Sequence, residues 1–371
     1  MKDETLDMLA DAAAAFAKPD AARVRKLRST APGFDRTTWA SMAGQGWLSI
    51  LVPEDLDGLG LGMGAAAVIA ERLGFALHTE PYVAAGVMAP RCVARCGSDA
   101  ARTLLSGMLS GEILAAPAWQ AQGGRLDADQ FTVNATTTAA GGVVLNGESH
   151  FVPVAAADNF IVAAQSTSGP GLYNVARDVA GLTITPQALA DGTAMATLRF
   201  SGVRLPASAC LASGIAAEAA LNAAIDGALV ATSAELVGVM ERCLEMTLEY
   251  LRTRKQFGRA IGSFQALQHR AVDLWMQKEL ARAAVAGAAR VLDDPASTPR
   301  ARLLATSGAK ARAAQAALLM VTQAVQLHGA IGTTDEYDLG LYLNRALVLS
   351  AWMGNAAEHR RRFGEMTEIA A

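Results

Sequence analysis

Two short polar stretches carry the residues whose types and spacing point to chemistry. The denser runs Tyr250-Leu-Arg252-Thr-Arg254-Lys255-Gln256-Phe257-Gly258-Arg259-Ala-Ile261-Gly-Ser-Phe264-Gln265-Ala-Leu-Gln268-His269. The pattern predicts that one helix ends near Gly258 and another begins near Phe264, with Arg252, Arg254, Lys255 and Arg259 beside the turn. A guanidinium fork matches a pyrophosphate, and a helix start offers unbonded N–H groups to an anion. Phe257 and Phe264 are placed to cover an aromatic ring. The stretch reads as a phosphate- or dinucleotide-contacting corner; a basic, solvated helix end is the alternative, and composition leaves the two open.

The second stretch is Gln326-Leu-His328-Gly329-Ala-Ile-Gly332-Thr-Thr-Asp-Glu336-Tyr337. Its glycines permit a helix stop or a close backbone approach. Taken alone, it reads more readily as a helix cap with incidental polar residues than as a site.

The elements that must position these groups fall into three parts. Residues 1–115 read as helices around a Gly/Pro-rich loop, LSILVPEDLDGLGLG, with helical patterns from Gly64 to Gly74, Ala84 to Cys96 and Ala100 to Leu109. Residues 116–211 change to short Val/Ile/Thr/Phe runs between turn residues: QFTVNATTT, GGVVLNGES, NFIVAAQS, LTITPQ and ATLRFSGVRLP. These predict an antiparallel sheet domain or small barrel, with Pro206 where sheet gives way to helix. Residues 212–371 are helical again. Long helices are expected over Ala216–Gln256 and Phe264–Leu292, a third opens at Pro299 and runs to about Leu327, and Asp338–Ala371 is interrupted near Gly354.

Composition bounds the function. The chain has 371 residues, 52% of them apolar and 18% charged, enough for a large core in two or three packed parts. A net charge of −3 gives no general attraction to nucleic acid or to an anionic membrane. Cys92 and Cys96 are near each other without a nearby His, and Cys210 and Cys243 stand apart, so the thiols read as reduced and unligated. The acidic start, MKDETLDMLADAAAAF, lacks a signal-peptide form, and no uninterrupted apolar run suggests a spanning helix. A reducing, cytoplasmic location without membrane insertion is the expectation.

Together the two polar stretches resemble the acyl-CoA dehydrogenase family. The family's first motif reads here as Arg254, Phe257-Gly258, Ile261, Phe264-Gln265 and Gln268-His269, and its second as Gln326, Gly329 and Gly332. Pro53-Glu54, Gly58-Leu59-Gly60-Leu-Gly62, Glu71-Arg-Leu-Gly74, Leu145-Asn146-Gly147-Glu148 and Ala157-Asp158 follow in the family's order over essentially the whole chain. The resemblance implies an α+β fold: N-terminal helical domain, central antiparallel β-domain, C-terminal four-helix bundle. It implies FAD at a subunit interface, with cofactor contacts at Arg254, Phe257, Gln265, Gln326 and Gly329. It also implies α,β-dehydrogenation of an acyl-CoA thioester, with an electron-transfer flavoprotein as acceptor.

The pattern breaks where the base belongs. The family reaction needs a carboxylate in a dry pocket, where desolvation raises its pKa towards its task. The usual Glu falls in Ser350-Ala-Trp352-Met353-Gly354-Asn355, at Met353, or at Trp352 if the gap falls differently. A second location used in the family falls at Ala228; the nearest carboxylate is Asp226, about 200° away round a helix. Asp226 is the candidate base, with a helix cap or a surface carboxylate as the alternative. The usual Trp-Ile-Thr aligns with Phe151-Val152-Pro153, and the usual Thr-Glu-Pro-Gly loop with Pro117–Gly124. Adenine-side features survive while ring-side and base-side features are eroded. The narrower resemblance, carried by Leu248–His269 and Gly354–His359, is to the small-subunit branch, such as the pimeloyl-CoA dehydrogenase small subunit, and to subunits of heterotetrameric steroid side-chain acyl-CoA dehydrogenases. It implies a larger homologue as partner that supplies the Glu. A self-sufficient homo-oligomer using Asp226 or other thioester chemistry, and a flavin-less scaffold, are the competing readings.

Overall fold

A computed structural model describes residues 3–126, 131–139 and 141–368. Gln130, which opens the first predicted strand run, and the chain ends 1–2 and 369–371 lie outside them. The first part forms α1 (Asp3–Phe16), α2 (Ala21–Arg28), α3 (Arg36–Gly44), α4 (Gly62–Phe75), α5 (Ala89–Val93) and α6 (Asp99–Leu109). Asp35 caps α3 through the Thr37 and Thr38 amides, and Ser98 caps α6 through the Ala101 amide. The helix expected over Ala84–Cys96 is instead a π-helix, Tyr82–Met88, leading into the short α5. Pro90 withholds one N–H from the preceding turn, and the change of pitch falls there.

The sheet comprises β1 (Ala115–Ala118), β2 (Val133–Thr137), β3 (Val143–Pro153), β4 (Asn159–Ser166), β5 (Gly169–Ala176), β6 (Leu182–Ala188), β7 (Ala194–Leu205) and β8 (Cys210–Ser213). Its order is β6-β7-β3-β2-β4-β5-β8, with β1 on β4. Most pairs are antiparallel, as expected, but β1 and β4 run parallel from Ala115↔Asn159 to Ala118↔Val162, and β2 meets β4 in parallel at Asn134↔Gln165. The sheet is therefore mixed. A parallel neighbour needs a long connection, here containing the β2–β3 hairpin, and strand alternation cannot announce it. Pro206 ends β7, and β8 intervenes before helix resumes.

The last part forms α7 (Ile215–Thr253), a two-stranded hairpin of β9 (Lys255–Gln256) and β10 (Arg259–Ala260), then α8 (Gln265–Asp293), α9 (Pro299–His328), α10 (Leu339–Ala351) and α11 (Ala356–Glu368). Helix α7 is long and apolar enough to cross a membrane by composition, but its apolar window is buried inside the protein, as in a core helix.

The chain divides into two compact units. One gathers Leu27–Gly62 and Thr79–Ala228, with the sheet at its centre. Its core is built from Phe160, Val162, Leu145, Leu198 and Val203. Arg36 of α3 grips Asp158 with both Nη atoms at 2.8 Å, and Asp158 also accepts the Leu114 amide at 2.9 Å. The Ala157-Asp158 signature thus ties a helix to a strand start.

The other unit gathers Met1–Lys26, Met63–His78 and Leu229–Ala371. Here α4 lies directly on α7. A Cβ on Gly74 would stand 2.2 Å from the Glu235 carbonyl oxygen, and one on Gly238 would stand 1.8 Å from that of Glu71. Glycine inside a helix is costly, and the backbone contact explains both. Around this crossing Arg282 of α8 binds Glu71 at 2.8 Å and also Glu241, and Arg345 of α10 holds the buried Glu235 at 2.8 Å.

Candidate functional site

Helix α7 stops at Thr253, earlier than its apolar pattern suggests, because the next residues turn back on themselves. Gln256 pairs with Arg259, and Phe257 and Gly258 form the two-residue tip with φ of 52° and 80°. Positive φ at both tip positions defines a type I′ turn, which fits Gly258 and strains Phe257. The hairpin is closed by the Ile261 amide donating to the Arg254 carbonyl at 2.8 Å. Gln268 holds it to α8 by donating to the Gly262 carbonyl at 2.9 Å. Arg254, Ile261 and Gln268 of the first motif are therefore parts of one local device.

That device presents ligand-binding groups. Phe257 is 89% exposed and meets Phe264 edge-on, with ring centroids 6.0 Å apart. The Arg259 guanidinium lies 4.2 Å above the Phe264 ring. Arg254 and Gln265 are exposed, and Gln265 opens α8 with no side chain capping that helix. Cations, an uncapped helix start and an uncovered aromatic suit a diphosphate joined to a flat ring.

The second polar stretch is brought to the end of α7. His328, the last residue of α9, stacks on Tyr250 at 4.5 Å between centroids. Its Nδ1–H donates to the Ala324 carbonyl at 2.7 Å, so Nε2 is left to accept from the Tyr337 hydroxyl at 3.2 Å. Burial lowers the His328 pKa and favours this neutral form. Gly329 ends α9 with φ 67° and ψ −144°, a conformation that only glycine adopts easily. Gln326 and Gly329 are both exposed. The structure thus joins Tyr250 and His328 across the two motifs. It leaves Arg254, Phe257, Gln265, Gln326 and Gly329 all at the surface.

At the position where the sequence resemblance expects the family base, the side chain is Met353, buried and at φ 58° between α10 and α11. Trp352 and Ser350 are buried beside it in sequence. Asp226 is half-buried well inside α7, so it is not a helix cap, and Ala228 is fully buried. The Pro117–Gly124 segment, which the resemblance expects on the ring side, closes on itself within the sheet unit. Gln120 donates through Nε2 to the Gly124 carbonyl at 3.0 Å, and its main-chain carbonyl accepts the His150 amide at 2.9 Å. Phe151 follows at φ 52° with its ring against Gly124. Val152 and Pro153 have no side-chain hydrogen-bonding group to offer a flavin ring.

Sequence reasoning missed the hairpin and the contacts of three polar residues: the half-buried Tyr337 beside His328, and the buried Lys310 and His359 around the Met353 turn. Lys310 gave a weak signal, a charge among the alanines of α9 with Arg312 two residues further on. Tyr337 and His359 lie in stretches the sequence singles out, but nothing in those stretches points to the contacts they make.

Comparison with known proteins agrees with this fold. Residues 3–112 match the model of the acyl-CoA dehydrogenase N-terminal domain and residues 207–366 that of the acyl-CoA dehydrogenase C-terminal domain. The chain belongs to the acyl-CoA dehydrogenase family, whose members are flavoprotein oxidoreductases with FAD as cofactor. Among curated relatives, the acyl-CoA dehydrogenase IpdE2 of Mycobacterium tuberculosis is 32% identical, over 88% of this chain and 85% of that one. Among solved structures, a steroid ACAD variant, Tcur3481-Tcur3483, superposes with a TM-score of 0.86 at 27% identity, covering 99% of each chain. The ChsE4-ChsE5 complex from Mycobacterium tuberculosis does so with a TM-score of 0.85 at 28% identity, covering 100% of this chain and 98% of that one.

The residues present fit one end of FAD. The hairpin and the start of α8 offer cations, free helix-start amides and an aromatic cover for the diphosphate and adenine. The Phe151–Pro153 segment offers the ring no comparable side-chain donors.

Proposed function

We propose that this chain is one subunit of a FAD-dependent acyl-CoA dehydrogenase that carries out α,β-dehydrogenation of an acyl-CoA thioester, in a heteromer whose larger partner supplies the catalytic Glu. The observation that carries this reading is the contrast within one chain. The diphosphate-binding hairpin is intact and uncovered, while the base position is a buried Met353. Arg254, Phe257, Gln265, Gln326 and Gly329 hold the diphosphate and adenine end of FAD, which supplies a hydride acceptor when bound. Arg254 neutralises the diphosphate, and Phe257 covers the adenine side. A base in the partner removes the α-proton, since neither Met353 nor Trp352 can take one.

A second chain is further supported by the outer face of α8. Val272, Trp275, Met276 and Leu280 are exposed there at helical spacing, while Ala271, Leu274, Lys278 and Ala281 are buried. The relatives described as steroid dehydrogenases or as a two-protein complex favour a bulky, ring-bearing acyl group and a paired assembly. An electron-transfer flavoprotein is the proposed acceptor. Residues 1–115, 116–211 and 212–371 act as the N-terminal helical, central β and C-terminal helical domains of that subunit.

The half-buried Asp226 favours one alternative, a self-sufficient enzyme with a relocated base. Co-expression with a larger homologue carrying an intact Glu-Gly-Thr separates the two. The heteromer reading expects a stable yellow complex that reduces an artificial acceptor with acyl-CoA, and no turnover by this chain alone. A flavin-free monomer that ignores every homologue overturns it.

A further inference from the structure

Lys310 lies in the middle of α9 and is fully buried. Its Nζ donates to three main-chain carbonyls of one neighbouring segment: Leu349 at 3.0 Å, Ser350 at 3.2 Å and Gly354 at 3.0 Å. Among the described residues no carboxylate pairs with it. Leu349 and Ser350 lie in the last turn of α10, where carbonyls lack helical partners and the helix dipole favours a cation. The turn that follows carries two successive left-handed residues, Met353 at φ 58° and Gly354 at φ 91°. Such a conformation costs free energy for Met and persists only where the surroundings over-determine it.

The other side of the turn is held by α11. His359, also fully buried, donates Nε2–H to the Met353 carbonyl at 2.8 Å, and its Nδ1 has no partner. A Cβ on Gly354 would stand 3.1 Å from that Nε2. Burial pushes the Lys310 amine down to about 7 and, with Lys310 nearby, the His359 imidazole down to about 4. Burying an amine is expensive, so its contacts must repay something local. Packing alone would be served better by Leu or Met in this Ala-rich helix face.

We propose that the Lys310 amino group is the positioning element of the α10–α11 turn, a tethered amine seated in a cup of three carbonyls that fixes where residue 353 stands. The importance of that placement for the reaction rests on assigning residue 353 to the family's base position. The seat itself does not depend on that assignment.

The test uses the full chain, alone and in complex. Lys310→Ala empties the seat, and Lys310→Met fills it with a stem of similar volume that cannot donate. Hydrogen exchange of amides 349–355 and the emission of Trp352 report the turn. Both variants are expected to raise exchange there by about tenfold or more, as a buried hydrogen-bonded contact is lost. Methylamine or ethylamine should restore protection to Lys310→Ala. Potassium or tetramethylammonium chloride at equal ionic strength should not. Wild-type protection in Lys310→Met, or loosening that no primary amine reverses, overturns the proposal. If Lys310→Ala does not fold, the exchange of Lys310→Met decides. These readouts need neither flavin nor partner, so the failure of the subunit reading would leave them intact.

Discussion

Tyr250 and His328 stack with their ring centroids 4.5 Å apart and their planes at 28°, and this contact ties the end of α9 to the end of α7. The β9–β10 hairpin follows the end of α7 at Thr253, just after Tyr250, and Gln326 and Gly329 flank His328. One aromatic contact therefore sets the relation between the two halves of the proposed cofactor corner. Tyr250→Phe keeps the stack and should stay within about 1 kcal/mol of wild type. Tyr250→Ala should cost about 2 kcal/mol in urea unfolding and lower flavin content as well. Equal flavin occupancy in both variants would separate the stack from cofactor binding.

Arg254 should matter through its fork. Arg254→Ala is expected to weaken FAD retention by about 1.5–3 kcal/mol, the range for a hydrogen bond to a charged group. Lys at that position should recover only part, because it presents a point charge. The flavin-to-protein ratio of the purified complex is the readout. No change in the Ala variant would make Arg254 a solvated charge.

Asp226 is predicted to be dispensable. It sits half-buried inside α7, about 200° round the helix from the buried Ala228. Turnover of the complex should change little in Asp226→Asn and vanish when the partner's Glu is replaced. Turnover by this chain alone, abolished by Asp226→Asn with flavin intact, would make Asp226 a relocated base.

Acid stability should show the buried His359. Its pKa in the folded chain is about 4, below the ordinary value of 6.5. Between those values the unfolded chain binds more protons than the folded one, so stability falls as pH drops from 6.5 to 4 and then levels. The loss from this group is about 3 kcal/mol. His359→Gln should flatten that part of a urea-midpoint profile against pH. His328, also lowered, would leave a residual slope.

The Gly238 crossing admits no side chain. A methyl group 1.8 Å from the Glu71 carbonyl oxygen must push α4 off α7. Gly238→Ala should therefore cost about 3 kcal/mol or more, despite the better helix propensity of Ala. A raised melting temperature would contradict the close contact.

Much of this was legible in the sequence because it is periodic. Helices α8 and α9 begin and end within a few residues of where Phe264, Leu292, Pro299 and Leu327 placed them. The β-runs around Leu145, Phe160 and Leu198 likewise became strands. What escaped was short or non-local. Two-residue strands have no alternation to read, so Lys255–Ala260 passed for a helix end and a loop. The parallel β1–β4 pair depends on a connection, not on a pattern. The role of Lys310 depends on carbonyls about forty residues further on, which no window along the chain contains.

The hairpin tip has a consequence for the life of the chain in a cell. A phenylalanine held out at 89% exposure, on the same unit as the uncovered apolar stripe of α8, is what chaperones and degradation machinery recognise in unassembled proteins. Copies made in excess of whatever covers these surfaces would be retained or destroyed. The abundance of the chain would then be set by how much of its cover is made rather than by its own rate of synthesis.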